Sequence, residues 1–65
     1  MLLERGLRQL RPTHRAALIL RYQEGLGYGE LSTVMGVPEG TAMTYVHRAR
    51  RELADVLRGQ GLGDG

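Results

Sequence analysis

The stretch YGELSTVMGVPEGTAMTYVHRARREL, residues 28–53, decides the fold. Its opening, Tyr28 to Met35, sets Leu31, Val34 and Met35 at helical spacing and predicts a short helix with those three on one face. Gly36 ends that helix, and Val37-Pro38 turns the chain. A longer helix then runs from about Glu39 to Arg58. Its inner stripe is Ala42, Val46, Ala49, Leu53 and Val56, at steps of four, three, four and three. A short helix, a turn of three to four residues containing glycine, and a longer helix make the helix-turn-helix plan.

Toward the N-terminus, Pro12 marks the start of a further helix, because its fixed φ and missing N–H suit the first turn. That helix is expected over Thr13 to Glu24. Ala16, Ala17, Leu18, Ile19 and Leu20 run too continuously to assign one face, so it is expected to be the most buried. Gly25 stops it as a left-handed cap, and Leu26-Gly27 forms a tight link. Leu2 to Leu10 reads as a short amphipathic helix carrying Leu3, Leu7 and Leu10. The tail Gly59–Gly65 holds four glycines in seven residues and is expected to be disordered. The fold class is therefore all-α: a helix-turn-helix bundle of about four helices over residues 1–58, of the winged-helix-like DNA-binding class without the wing. The pattern contains no internal repeat and no convincing strand.

With 65 residues the chain makes one domain at most. A chain this short buries only about 60% of the surface its unfolded form exposes, so its core is thin. It has no cysteine, which rules out a disulfide and a thiolate zinc site and fits a reducing compartment. No apolar run approaches the roughly 20 residues of a membrane span. The start, Met1-Leu2-Leu3-Glu4-Arg5-Gly6, has neither a long apolar stretch nor a small-residue cleavage pattern, so no secretory leader is expected there and the default is a soluble cytoplasmic domain.

The net charge is +2 and the pI is near 9.7. All nine basic residues are arginine, a bias that GC-rich coding explains as well as phosphate and guanine recognition does. Residues 1–24 carry five arginines against two glutamates, residues 25–46 carry two glutamates and no base, and residues 47–58 carry four arginines against Glu52 and Asp55.

In the helix-turn-helix plan the second helix enters the major groove and reads bases with its N-terminal residues. With the inner stripe fixed, the opposite face of that helix shows Gly40, Thr44, His47, Arg48 and Arg51, flanked by Thr41, Met43, Tyr45 and Arg50. The face is small and polar at its tip and basic further along. Compact side chains suit the tight fit in the groove, and long cations suit the phosphates. Tyr28, near the start of the third helix, either reaches a phosphate beside the helix N-terminal amides or packs against the second helix. His14 and His47 lie on different helices with no ligand-spaced partner, so no metal is expected. No base–nucleophile grouping is visible, so neither catalysis nor a cofactor is expected.

Several segments carry a family resemblance. Leu10-Arg11-Pro12-Thr13-His14-Arg15 resembles an L-P-x-x-x-R opening. Leu20-Arg21-Tyr22 with Glu24-Gly25-Leu26-Gly27-Tyr28-Gly29-Glu30-Leu31 is similar to L-R-Y-x-E-G-L-S-Y-x-E-I. Gly36-Val37-Pro38-Glu39-Gly40-Thr41, followed by His47-Arg48-Ala49-Arg50-Arg51-Glu52-Leu53, resembles G-I-P-x-G-T-V-K-S-R-L-H-R-A-R-x-x-L. Over about residues 10–57 the chain thus resembles region 4 of the extracytoplasmic-function sigma factors of bacterial RNA polymerase.

That resemblance implies recognition of the promoter −35 element on double-stranded DNA, docking on the β flap of the RNA polymerase core, and service as a target for an anti-sigma factor, with no catalysis and no membrane contact. It also implies a further region upstream that this sequence does not contain. Family contacts carry over to Thr41, His47, Arg48 and Arg51. Where the family has K-S-R, this chain has Met43, Thr44 and Tyr45, so two cations are missing from the front of the recognition helix and weak binding by the domain alone is expected. Tyr45 retains a hydroxyl for a phosphate and a ring for a thymine methyl. Gly27 stands where the family has serine at the start of the third helix, and family habit pairs Arg15 with Glu30. Two other readings stay open: the output domain of a response regulator, which shares the helix-turn-helix plan, and a protein-interaction module that keeps the fold with weak DNA affinity.

Overall fold

The computed structural model describes residues 2–59, with side-chain surroundings from residue 5 onward. Four α-helices form within that span: α1 (Leu2–Arg8), α2 (Pro12–Leu18), α3 (Tyr28–Met35) and α4 (Glu39–Leu57), with a π-helical segment, Ile19–Gln23, continuing α2. The glycine-rich tail past Gly59 and the side chain of Leu3 lie outside the described residues. Among the described residues no strand forms, and no helix is long and apolar enough to cross a membrane.

The element boundaries follow local chemistry. Arg11 is extended (φ −57°, ψ 145°) and Pro12 takes the first helical position of α2, where its missing N–H costs no hydrogen bond. Gly25 sits at φ +76° and Gly36 at φ +69°, the left-handed region that a side chain disfavours, and each closes the helix before it. The second helix departs from the single α-helix expected over 13–24. From Ile19 it widens to π winding, with the Glu24 N–H donating to Ile19 O at 3.0 Å and the Leu26 N–H to Leu20 O at 3.0 Å. Consecutive helical side chains point about 100° apart, so the apolar run divides: Leu18 lies in the core, Ile19 lines a groove against α1 and α4, and Leu20 lies on the side of α3.

The core is Leu10, Ala17, Leu18, Leu31, Ala42, Val46 and Ala49, with Leu7, Leu26, Met35, Val37, Leu53 and Val56 among the residues packed around it. α4 supplies three of the seven and packs against α1, α2 and α3. In the second helix Ala17 and Leu18 are buried and Ala16, Ile19 and Leu20 half-buried, so its apolar run is largely enclosed, while α4 is covered along its inner stripe and exposed on the opposite side. Ala42 and Ala49 are small enough for neighbouring helices to close over them, and Gly6 does the same for α1, since a Cβ there would stand 2.9 Å from Leu53 Cδ1 and 3.0 Å from Leu57 Cδ2.

Val34 departs from the expected inner face of α3. It is 61% exposed, while Leu31 is fully buried and Met35 half-buried. At 100° per residue, Tyr28, Leu31 and Met35 share one line on α3, and Val34 stands about 100° off its centre. A domain of this length has about 3–10 kcal/mol of stability at roughly 0.05–0.15 kcal/mol per residue. Leu31→Ala is expected to cost about 2–5 kcal/mol, and Val34→Ser to stay within about 0.5 kcal/mol. Urea unfolding followed by far-ultraviolet circular dichroism checks both, and a Val34→Ser loss as large as that of Leu31→Ala would place Val34 in the core.

Candidate nucleic-acid interface

The turn between α3 and α4 is closed by one residue. Ser32 O accepts from the Gly36 N–H at 2.9 Å and from the Val37 N–H at 3.1 Å, and Ser32 Oγ donates to Val37 O. Pro38 is extended (φ −60°, ψ 152°) and its carbonyl accepts from the Ala42 N–H at 2.9 Å, which starts α4. At the other end of α3, Gly27 occupies the N-cap (φ −77°, ψ 169°). Having no side chain, it offers no oxygen to the helix, and the cap reduces to Glu30 Oε1 accepting from the Gly27 N–H at 2.9 Å. Glu30 is engaged there, and no Arg15–Glu30 ion pair forms among the described residues.

On α4 the outward face is Gly40, Thr44, His47, Arg48 and Arg51, all exposed. Met43 is 38% exposed on one flank, Thr41 is half-buried on the other, and Arg50 is exposed. Thr44 Oγ1 donates to Gly40 O at 3.0 Å, so its hydroxyl proton is turned back onto the helix. These residues form one continuous surface over the first three and a half turns. Its N-terminal part is uncharged apart from Glu39, and its cations begin at Arg48.

The two tyrosines stand apart from that surface. Tyr28 is half-buried at the first turn of α3, and the Arg21 guanidinium lies 4.6 Å from its ring centroid. Arg21 Nη1 donates to Leu26 O at 2.8 Å, while its buried Nε has no hydrogen-bond partner and the guanidinium meets the ring instead. Tyr45 is half-buried and packs against the core. Its ring faces α2, 6.4 Å from the ring of His14 and tilted 51°. His14 Nδ1 in turn donates to Glu52 Oε1 at 2.6 Å, a bond that ties α2 to the C-terminal half of α4. The direction follows from the acceptor-only carboxylate.

A family model described as sigma-70, region 4 matches residues 1–53. The chain belongs to the sigma-70 region 4 family. It is 42% identical over 55 residues to the ECF RNA polymerase sigma factor SigE of Mycolicibacterium smegmatis, covering 85% of this chain and 21% of that protein. It is 40% identical over 52 residues to the RNA polymerase sigma-H factor of Pseudomonas aeruginosa, covering 80% and 27%. With the RNA polymerase sigma factor CarQ of Myxococcus xanthus it shares 35% over 52 residues, covering 80% and 30%. The chain therefore spans less than a third of the length of these relatives.

This region 4 holds a grouping that periodicity does not reveal, the His14–Glu52–Tyr45 corner. Tyr45 and Glu52 are seven residues apart and share a side of α4, which is legible. That His14, 38 residues from Glu52, meets them is settled only when α2 docks. A second such feature is an apolar groove of about 790 Å³ between α1, the π-helical segment and the C-terminal half of α4, lined by Leu7, Ile19, Tyr22, Leu53 and Leu57 among others. A double-mutant cycle on His14→Gln and Glu52→Gln, read by thermal or urea unfolding, is expected to return a coupling of about 0.5–1 kcal/mol for this partly exposed pair. Additive losses would show that the corner does not join the helices.

Proposed function

We propose that this chain is the promoter-reading end of a sigma factor of the extracytoplasmic-function type. It recognises the −35 element by inserting the N-terminal half of α4 into the major groove and serves RNA polymerase in transcription initiation. The observation that carries the reading is the exposed face of Gly40, Thr44, His47, Arg48 and Arg51 on the second helix of a helix-turn-helix, in a chain of the sigma-70 region 4 family. In this reading Thr41, Met43 and Thr44 meet base edges and His47, Arg48 and Arg51 meet phosphates or more distant bases. Tyr28 and Tyr45, half-buried and turned toward Arg21 and His14, serve this reading chiefly by packing the helices beside the interface.

The apolar groove lies toward the C-terminal half of α4, away from the groove-reading tip. It supports docking on the flap of the polymerase β subunit while DNA is held, and the same apolar surface suits an anti-sigma factor. In this reading the protein works in the cytoplasm with polymerase and DNA, as a binding protein and not an enzyme. The competing reading as an interaction module with weak DNA affinity is favoured by one observation, the lack of any base between residues 25 and 46.

Fluorescence anisotropy separates these readings. Duplexes selected for binding from a randomised pool are titrated with the chain across a salt series, with Arg48→Ala beside the wild type. Sequence-preferring binding that weakens with salt is expected, and Arg48→Ala is expected to reduce the slope of log K against log salt by about 0.9, one phosphate contact. Binding without sequence preference, or an unchanged slope in both Arg48→Ala and Arg51→Ala, would reject the placement of α4 in the groove.

A further inference from the structure

The tip of α4 has an unusual chemistry for a helix that reads bases. Gly40 has no side chain, and nothing stands within 4 Å of where its Cβ would be, so the surface there is open backbone. Thr44, one turn on, has committed its hydroxyl proton to Gly40 O. Met43 is 38% exposed and has no polar hydrogen. Together these three present no free side-chain donor and no charge, and the nearest arginine on the outward face, Arg48, is more than a full turn further along.

Guanine is read in the major groove by paired donors to O6 and N7, usually from arginine or lysine, and adenine by a carboxamide that both donates and accepts. Neither reader is available at this tip. The thymine C5 methyl is the one apolar group that the unmodified major groove displays, and it is read by contact with apolar atoms such as a threonine methyl. Thr44 is suited to that contact, because fixing Oγ1 on Gly40 O holds its side chain in one rotamer with the Cγ2 methyl on an exposed position. The flexible Met43 thioether fills irregular apolar gaps and provides the second contact.

We infer that Met43 and Thr44 determine specificity by selecting thymine through its C5 methyl at the base steps met by the first two turns of α4. The inference rests on the proposed entry of α4 into the major groove and adds to it the class of base that is read. It assigns Met43 and Thr44 to methyl contact and leaves hydrogen-bonded readout to Thr41 and to residues from His47 onward. The missing cations are then a change of code and not only a loss of affinity.

The test uses the selected duplex described above and replaces each thymine in turn by deoxyuridine, which keeps the O4 acceptor and the pairing and removes only the methyl. At one or two positions the substitution is expected to weaken binding about fourfold, the factor for burying one CH2-sized group. Met43→Ala and Thr44→Ser are titrated alongside. The second keeps the hydroxyl bond to Gly40 O and deletes only the methyl, and both sites are exposed, so circular dichroism is expected to show unchanged folding. In these variants the loss on uridine substitution at the matching position is expected to vanish. Met43→Lys is expected to raise the salt slope by about 0.9 and to blunt the preference for thymine.

Sequence-preferring, salt-dependent binding with a flat uridine series overturns the inference and leaves the promoter-reading proposal standing. A uridine effect that persists unchanged in both variants also overturns it, by assigning methyl readout to other residues. Failure of any sequence-preferring binding defeats the promoter-reading proposal itself, and the inference with it.

Discussion

Ala42, Val46 and Ala49 have no solvent exposure, and the rest of the molecule is arranged around that stripe. Two of the three are alanines, so the contact is made by close approach and not by bulk. Helices α1, α2 and α3 all pack on α4, and Gly6 extends the same economy of volume to the α1 crossing. In a chain too short to build a thick core, one helix touching every other is the arrangement that shares a small apolar surface most fully. Its consequence is that the opposite side of α4 is left uncovered and rigidly presented.

The length of α4 divides that presentation into two regions. The outward face runs from Gly40 to Arg51 over the first two thirds of the helix, and the C-terminal half shares the apolar groove with α1 and the π-helical segment on another side. A single stiff element thus joins a surface suited to the major groove with a surface suited to protein. Ser32 controls the relation of α4 to the helix before it, because its carbonyl and hydroxyl hold the two residues that turn the chain. Both bonds fall next to Leu31, the largest fully buried residue of α3, so the turn is braced against the core from within.

The electrostatic pattern is uneven along the same helix. The tip is neutral to acidic and the cations are gathered between His47 and Arg51. At position 45, where the related pattern carries arginine, this chain carries a tyrosine whose ring lies against His14. The ring adds apolar packing at the α2 contact, and Glu52 completes that corner through its bond to His14.

Much of this was legible in residues 28–58. Gly36, Pro38 and the four-three-four-three stripe are local signals: each depends on backbone φ or on helical period within a few residues, and both α3 and α4 begin at the residues those signals indicate. The outward set Gly40, Thr44, His47, Arg48 and Arg51 followed from the stripe by geometry alone, and all five are exposed. The placement of Val34, the π winding over Ile19–Gln23, the inward lean of Tyr45 and the His14–Glu52 bond were not legible. Each depends on which helix lies opposite, and a run such as Ala16–Leu20 is compatible with several directions of docking. Where α3 and α4 start and which face α4 offers to solvent follow from residue order alone, because hydrophobic period and glycine or proline geometry act at short range. Only the tertiary structure decided how α2 and α4 meet across 38 residues, because packing at that distance is set by the shapes of both partners at once.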